Sequence, residues 1–274
     1  MTTPFDLGPA LLFCPADRPE RFAKAAERSD AVILDLEDAV SPDAKAAARQ
    51  NLVRSELDPV RTIVRVNAVS DGSGADELAL DLAAIAQTEY RTVMLAKAVE
   101  IPETLESYDV VALCESAAGI LAAPAIAAHP SVVALFWGSE DLIVSLGGTS
   151  SRFRDGHFRA VALHSRSAVL LAAAAHGKAA IDSVHVDIQD SGGLAAEARD
   201  AVASGFVAKA CIHPSQVEVV RQAYAPTADE VEFASAVIAA ADGQHGAFQF
   251  QGRMIDEPVL VHARRVLART ESAE

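Results

Sequence analysis

Short runs of Val, Ile and Leu recur along the chain, separated by longer segments whose apolar residues fall at helical spacing. This is the alternation expected of βα units around a parallel sheet. The pattern predicts strands at residues 11–15, 31–36, 62–67, 92–97, 110–115, 132–138, 183–188 and 208–213. Helices are predicted between them, among them 19–28, 42–55, 75–86 and 194–203, the last stopped by Gly205. Eight strands are enough to close a barrel, so a (β/α)8 TIM barrel is preferred over an open doubly wound sheet. The Ala-rich stretches at 170–175 and 234–241 carry helix formers at helical spacing and read as close-packing helices.

Two segments exceed a minimal barrel. Between the sixth and seventh predicted strands lies a polar, Gly-rich stretch, residues 147–156, followed by a predicted helix at 158–176. A loop of this kind over the C-terminal face could cover a site. After the eighth unit come a helix at 229–241, a Gly-containing link at 242–246 and a closing helix at 258–268. The expected organisation is a catalytic barrel over 1–225 with a C-terminal helical extension and lid motif over 226–274.

Composition narrows the function classes. A chain of 274 residues with 51% hydrophobic content suffices for one large α/β domain with a buried core. The excess of 38 acidic over 23 basic residues, net charge -15, repels nucleic-acid phosphates and anionic lipid, which leaves small-molecule chemistry as the expectation. Cys14, Cys114 and Cys211 sit in apolar, strand-like runs, which suggests reduced thiols and a cytoplasmic setting without a zinc site. The opening Met1-Thr2-Thr3-Pro4-Phe5-Asp6 lacks the features of a signal peptide, and no apolar run has the length of a membrane span.

Polar residues at the strand ends carry the chemistry. Glu115 and Asp141 each follow an apolar strand, and in a parallel barrel those ends converge on one face, where two carboxylates can share a divalent cation. Two protein ligands leave positions for water and for substrate oxygens, as a Mg²⁺ Lewis acid requires. The alternative for each is helix capping, of 117–127 by Glu115 and of the short segment at Leu142 by Asp141. Leu34-Asp35-Leu36-Glu37-Asp38 brings three carboxylates together, for an active-site role, for capping the helix after Pro42, or for pairing with Lys45 or Arg49. Arg65 is a cation inside a β-branched strand and needs an anionic partner, either a substrate carboxylate or oxyanion gripped by its two-pronged guanidinium, or Asp35 or Glu37 internally. Lys97 and His213 also end strands, the first open to pairing with a carboxylate and the second to closing a turn before Pro214.

At these residues the sequence resembles the citrate lyase β-subunit-like enzymes of the HpcH/HpaI aldolase superfamily, which includes malyl-CoA and citramalyl-CoA lyases. The resemblance rests on segments in the family's order over nearly the whole chain. They are Cys14-Pro15-Ala16-Asp17-Arg18-Pro19, Leu34-Asp35-Leu36-Glu37-Asp38 with Lys45 and Arg49, Arg65-Val66-Asn67, Leu113-Cys114-Glu115-Ser116-Ala117-Ala118-Gly119, Gly138-Ser139-Glu140-Asp141-Leu142, Cys211-Ile212-His213-Pro214-Ser215-Gln216 and Gly252-Arg253-Met254-Ile255-Asp256-Glu257-Pro258. Each is weak alone; together and in order they are specific.

By that resemblance Glu115 and Asp141 match Mg²⁺ ligands, and Arg65 matches the arginine that contacts the α-keto acid or the thioester enolate. Arg18 and Lys24 match basic positions near coenzyme A phosphates. Asp256 matches an aspartate that reaches a neighbouring subunit's site as acid or base; sequence alone favours reading it as the N-cap of the Pro258 helix. The resemblance also implies a homotrimer or homohexamer. The chain departs from the family at Ala96, where Pro is usual, and at Cys114, where a branched aliphatic is common. It is also shorter at its C-terminus than subunits of the citrate lyase complex, which favours a stand-alone acyl-CoA enzyme over a citryl-carrier-protein lyase subunit. The implied reaction is Mg²⁺-dependent, reversible cleavage of a β-hydroxyacyl-CoA to acetyl-CoA, or an analogue, and an α-keto acid such as pyruvate or glyoxylate. The rivals are a malate-synthase-like condensing thioesterase and a catalytically silent acyl-CoA-binding subunit.

Overall fold

The computed structural model describes residues 5–271 other than Ser70 and His245. The opening Met1-Thr2-Thr3-Pro4 stretch and His245 of the link lie outside the described residues. The chain divides into two compact units, Met1–Val220 and Arg221–Glu274.

The first unit runs β1 (Ala10–Pro15), α1 (Phe22–Arg28), β2 (Ala31–Asp35), α2 (Lys45–Val53), β3 (Thr62–Val66), α3 (Asp71–Ile85), β4 (Thr92–Leu95), β5 (Asp109–Cys114), α4 (Ala117–Ala128), β6 (Val132–Trp137), α5 (Ser139–Ser145), α6 (Ala160–Ala175), β7 (Ala179–Asp182), α7 (Ser191–Ser204) and β8 (Ala208–Cys211), and the division between the units falls within α8 (Pro214–Tyr224). A one-turn 3-10 helix, Pro19–Arg21, leads into α1. All eight strands are parallel, and β1 pairs with both β2 and β8, which closes the barrel. The strands are short and buried on both faces, which is why they read as nearly continuous apolar runs and not as polar alternation.

The side-chain period of two positions the site. Leu11, Ile33, Ile63, Met94, Val111, Leu113, Phe136 and Ile181 belong to the barrel core. Two residues beyond Ile33, Ile63 and Leu113, the same inward-facing rows deliver Asp35, Arg65 and Glu115 at the C-terminal ends. Asp35 and Arg65 are register partners on adjacent strands.

The seventh strand differs from expectation. It is Ala179–Asp182, and 183–188 is the loop that follows. Val184, Val186 and Ile188 imitate a strand's alternation, but Val186 and Ile188 are exposed, whereas the actual strand is small-residue Ala-Ala-Ile-Asp. At the end of α7, Gly205 takes φ +112° and closes the helix as expected of a left-handed C-terminal stop.

The second unit contains α9 (Ala228–Ala240), strands β9 (Phe248–Phe250) and β10 (Arg253–Ile255), and α10 (Glu257–Glu271). A Thr227–Glu230 capping box starts α9. The β9–β10 hairpin was not anticipated from the pattern. Its two-residue turn, Gln251-Gly252, has φ of 47° and 78°, the double positive φ of a tight antiparallel connection. Ala234, Val237, Ile255, Ala263 and Val266 form this unit's own core. Among the described residues no helix is long and apolar enough to cross a membrane.

Candidate active site

A cavity of about 270 Å³ opens at the C-terminal mouth of the barrel. Its lining includes Phe13 and Pro15 from β1, Asp35, Arg65, Glu115, the turn Gly138-Ser139-Glu140-Asp141, and Val184 and Ile212. Three of the expected site residues, Arg65, Glu115 and Asp141, therefore share one cavity.

Asp35 is the hub of its charged wall. It is fully buried and accepts from the main-chain N–H of Glu37 at 2.8 Å and of Ala39 at 3.2 Å. Arg65 adds a fork, with Nε donating to Oδ1 at 2.8 Å and Nη2 to Oδ2 at 2.5 Å. The third guanidinium nitrogen, Nη1, lies 3.2 Å from Glu37 Oε2. The guanidinium also sits over the Phe13 ring, 4.9 Å from its centroid. Burial would lower the arginine's pKa, but Asp35 and then Glu37 outweigh it and hold the charge firmly in place. Internal pairing and a place at the mouth thus coexist at Arg65, and two of its five N–H donors remain for a ligand.

Around this hub, Lys45 and Arg49 do not pair with the carboxylates after β2. Lys45 Nζ donates to the carbonyls of Leu36 at 2.9 Å and Glu37 at 3.2 Å and to Asn67 Oδ1 at 2.6 Å, so it braces the main chain that carries Glu37. Arg49 pairs with Glu77 and Asp81. Asp81, buried, also accepts from Asn67 through its main-chain N–H at 2.9 Å and its amide at 2.7 Å. The capping alternative is not seen at α2, whose N-cap is Ala44.

Glu115 does not cap α4 either. Ser116 does, accepting from Gly119 N–H at 3.1 Å. Glu115 Oε1 instead accepts from Lys97 N–H at 2.9 Å. The carboxylate runs so close beside Gly138 that a Cβ there would stand 2.7 Å from Glu115 Cβ and 2.9 Å from Oε2. Burial, and after it the negative charge of Asp141, pushes the Glu115 carboxyl up to about 8. Two crowded carboxylates, one nearly dry, are a donor set that a small hard dication would relieve, with its remaining positions open to water and substrate oxygen. Among the described residues no group of three or more His, Cys, Asp or Glu side chains is arranged to hold a metal.

Two further residues complete the surroundings: Glu140, which the sequence pattern did not single out, and Lys97, whose expected carboxylate pairing is present. Glu140 lines the cavity beside Asp141, with Oε1 accepting from Ser139 Oγ at 2.9 Å and Ser151 Oγ at 2.7 Å. Lys97 Nζ pairs with Glu37 and, at 2.9 Å, with Asp38. The loop at 147–156 does not cover the cavity, and none of its residues lines it. Arg152 pins it sideways by pairing with Glu197, donating to Gly156 O at 3.0 Å and stacking 3.7 Å over Phe158.

Arg18 stands exposed on the turn after β1, 3.7 Å from Asp17, and Lys24 is exposed on α1; neither lines the cavity. His213 is exposed and Nδ1 contacts Ser215 Oγ at 2.8 Å, a turn closure. All three cysteines are buried, and burial pushes Cys14 up to about 11 and Cys114 up to about 12. Asp256 lies in the second unit between β10 and α10, where its carbonyl accepts from Val259 and Leu260 N–H, each at 3.1 Å.

Fold and site together define a (β/α)8-barrel enzyme with carboxylates and one clamped arginine gathered at its mouth. The chain belongs to the HpcH/HpaI aldolase/citrate lyase family, whose model matches residues 10–214, and is accordingly a lyase. It is 53% identical over 268 residues to the citrate lyase subunit beta-like protein of Mycobacterium tuberculosis, covering 97% of each chain. A crystal structure of protein CitE from that organism, in complex with magnesium, acetoacetate and coenzyme A, superimposes with a TM-score of 0.90 at 52% identity, covering 97% of this chain and 98% of that one. More distant relatives are the mitochondrial citramalyl-CoA lyase of Homo sapiens, 30% identical over 94% of this chain and 84% of that protein, and a (3S)-malyl-CoA thioesterase of Cereibacter sphaeroides, 33% identical over 96% and 94%.

Proposed function

We propose that this chain is a Mg²⁺-dependent carbon–carbon lyase that reversibly cleaves a β-hydroxyacyl-CoA, of the malyl-CoA or citramalyl-CoA type, to acetyl-CoA or an analogue and an α-keto acid such as pyruvate or glyoxylate. The observation that carries this reading is the meeting of Glu115, Asp141 and Arg65 in one cavity of about 270 Å³. That space suits the acyl and keto-acid fragments and leaves the nucleotide outside.

Glu115 and Asp141 would hold Mg²⁺, which supplies a Lewis acid for the substrate's carboxylate and hydroxyl and lowers the hydroxyl pKa. Arg65 turns its two uncommitted N–H groups toward charge developing on oxygen, and its fork on Asp35 prevents it from swinging away. The hydroxyl proton passes to solvent water as the O–H bonding pair forms the keto-acid carbonyl, and the pair of the breaking C–C bond passes to the thioester enolate. Asp256 gives a proton to that carbon, or removes one in the condensing direction. Arg18 and Lys24, both exposed on the segment that leaves the mouth after β1, contact coenzyme A phosphates. The working assembly is a homotrimer or homohexamer in which Asp256 serves a neighbouring barrel, and the division of labour is a catalytic barrel over 1–225 with a lid-bearing extension over 226–274.

The test is a panel of malyl- and citramalyl-CoA stereoisomers assayed with Mg²⁺ and with chelator. Mg²⁺-dependent release of an α-keto acid with intact acetyl-CoA is expected; no release from any member refutes the reading. The thioesterase relative favours one second reading, condensation followed by hydrolysis, which the same panel detects as free coenzyme A appearing with keto acid and acetyl-CoA supplied.

A further inference from the structure

Lys97 stands at the mouth without a part in the chemistry above. Its φ is +50°, the left-handed region that favours glycine. Three contacts hold the bend. Lys97 N–H donates to Glu115 Oε1 at 2.9 Å, Ala98 N–H donates to Leu113 O at 2.9 Å, and α4 begins so close that a Cβ on Gly119 would fall 2.4 Å from the Ala98 carbonyl. From this bend the ammonium reaches Glu37, a buried carboxylate that is also the second partner of Arg65. One residue therefore touches the Glu115 side of the mouth with its main chain and the Arg65 side with its side chain.

We propose that Lys97 is a positioning residue that holds the two halves of the mouth in register, its N–H setting the Glu115 carboxylate and its ammonium setting Glu37 behind Arg65. This rests on the lyase reading for its kinetic consequence, but not for its binding consequence. The two contacts are separable, because any residue other than proline keeps the N–H while only a cation keeps the grip on Glu37. Removing the ammonium leaves the metal-side carboxylate clamped and frees Glu37. Burial already pushes the Glu37 carboxyl up, with Arg65 and Lys97 pulling it down and Asp38 pushing it up, so loss of Lys97 extends its protonated range to higher pH and weakens the third contact of Arg65.

The experiment compares Lys97→Met, Lys97→Gly and Lys97→Arg with the wild type. Glycine relieves the left-handed backbone and so guards against a variant that fails to fold. Pyruvate binding to the Mg²⁺-loaded protein and kcat/KM should each fall by about tenfold or more in the Met and Gly variants and return to within about threefold of wild type in the Arg variant. The acid limb of kcat/KM should move to higher pH in the Met and Gly variants. Mg²⁺ affinity of the protein without substrate, by calorimetry, should stay within about threefold throughout. Unchanged pyruvate affinity in Lys97→Met, no rescue by Arg, or loss of Mg²⁺ affinity in parallel with pyruvate would overturn the proposal. A wild type that binds pyruvate but turns over no thioester would sink the lyase reading alone, and the pyruvate titrations would still decide the role of Lys97.

Discussion

Arg65→Lys keeps a positive charge and removes a fork. Arg65 commits two N–H groups to Asp35 and one to Glu37, at 2.8, 2.5 and 3.2 Å, and Asp35 is fully buried. An ammonium at that site satisfies one Asp35 oxygen at a time. A hydrogen bond to a charged group is worth about 1.5–3 kcal/mol, so the loss of one prong should cost about 2 kcal/mol of stability. That is small enough for a domain with about 5–15 kcal/mol in hand to remain folded. The same loss removes the flat, two-donor edge offered to substrate, and about 2 kcal/mol in the transition state is roughly a 30-fold fall in kcat/KM. Urea unfolding and steady-state cleavage at saturating Mg²⁺ measure the two effects separately. A cycle with Asp35→Asn adds the decisive control: the pair should couple by about 1 kcal/mol or more, because each single change already breaks the fork. Additive stabilities would remove the fork from the argument, and wild-type kcat/KM in Arg65→Lys would reduce Arg65 to a structural ion-pair partner.

In metal-free protein, Glu115 should make stability fall as pH rises. Its folded pKa, about 8, lies above the unfolded value near 4.5, so its contribution is complete below 4.5 and is lost through about 8, at about 1.4 kcal/mol per unit. Glu115→Gln should flatten that slope and abolish Mg²⁺ binding; a chelated wild type with no slope between those values would show that the carboxyl is not burdened as described. Mixing Asp256→Asn subunits with Glu115→Ala subunits, each inactive alone, should restore partial activity where an intact metal pocket meets an intact Asp256. No recovery after demonstrated subunit exchange would confine Asp256 to its own barrel or remove it from catalysis.

Most of the barrel was legible because parallel strands buried on both faces leave runs that little else produces. The strand ends were read slightly long at Leu36, Asn67, Lys97, Glu115, Gly138 and His213, since the residues that close each run belong to the loops after the strands. β7 was misplaced because Ala-Ala-Ile-Asp has too little bulk to stand out beside the alternating Val184, Val186 and Ile188. The β9–β10 hairpin has three-residue strands and a Gln-Gly turn, a weaker signal than Asn-Gly. At the site, the residue types and the internal partners of Arg65 were visible, but the register that makes the Asp35 contact a two-pronged fork was not. Asp35 meets Arg65 because the two strands are in that register, which barrel closure sets and no local pattern encodes. The bend at Lys97 was hidden for a different reason: a lysine carries no mark of a left-handed backbone, which sequence habitually signals with Gly or Asn.

Buried charge alone does not single out the mouth, because the barrel has a second ionic cluster with a different character. Asp182, on β7, accepts from Trp137 Nε1 at 2.7 Å, Arg166 Nε at 2.8 Å and Lys209 Nζ at 3.0 Å, and Lys209 is itself fully buried. Burial works against the Asp182 carboxylate, yet Lys209 and Arg166 hold it below the usual range. That cluster has its charges matched and Asp182 and Lys209 line no part of the cavity, so its effect is to tie β7 and β8 to α6. At the mouth the balance is left open. Arg65 keeps two N–H groups unspent, and Glu115 is held in a place where its own charge is unfavourable. A fold gains nothing from that arrangement by itself, whereas a dication and an anionic substrate would settle both at once. The unfinished electrostatics, more than the number of charged groups, support the proposal that the mouth is the working site.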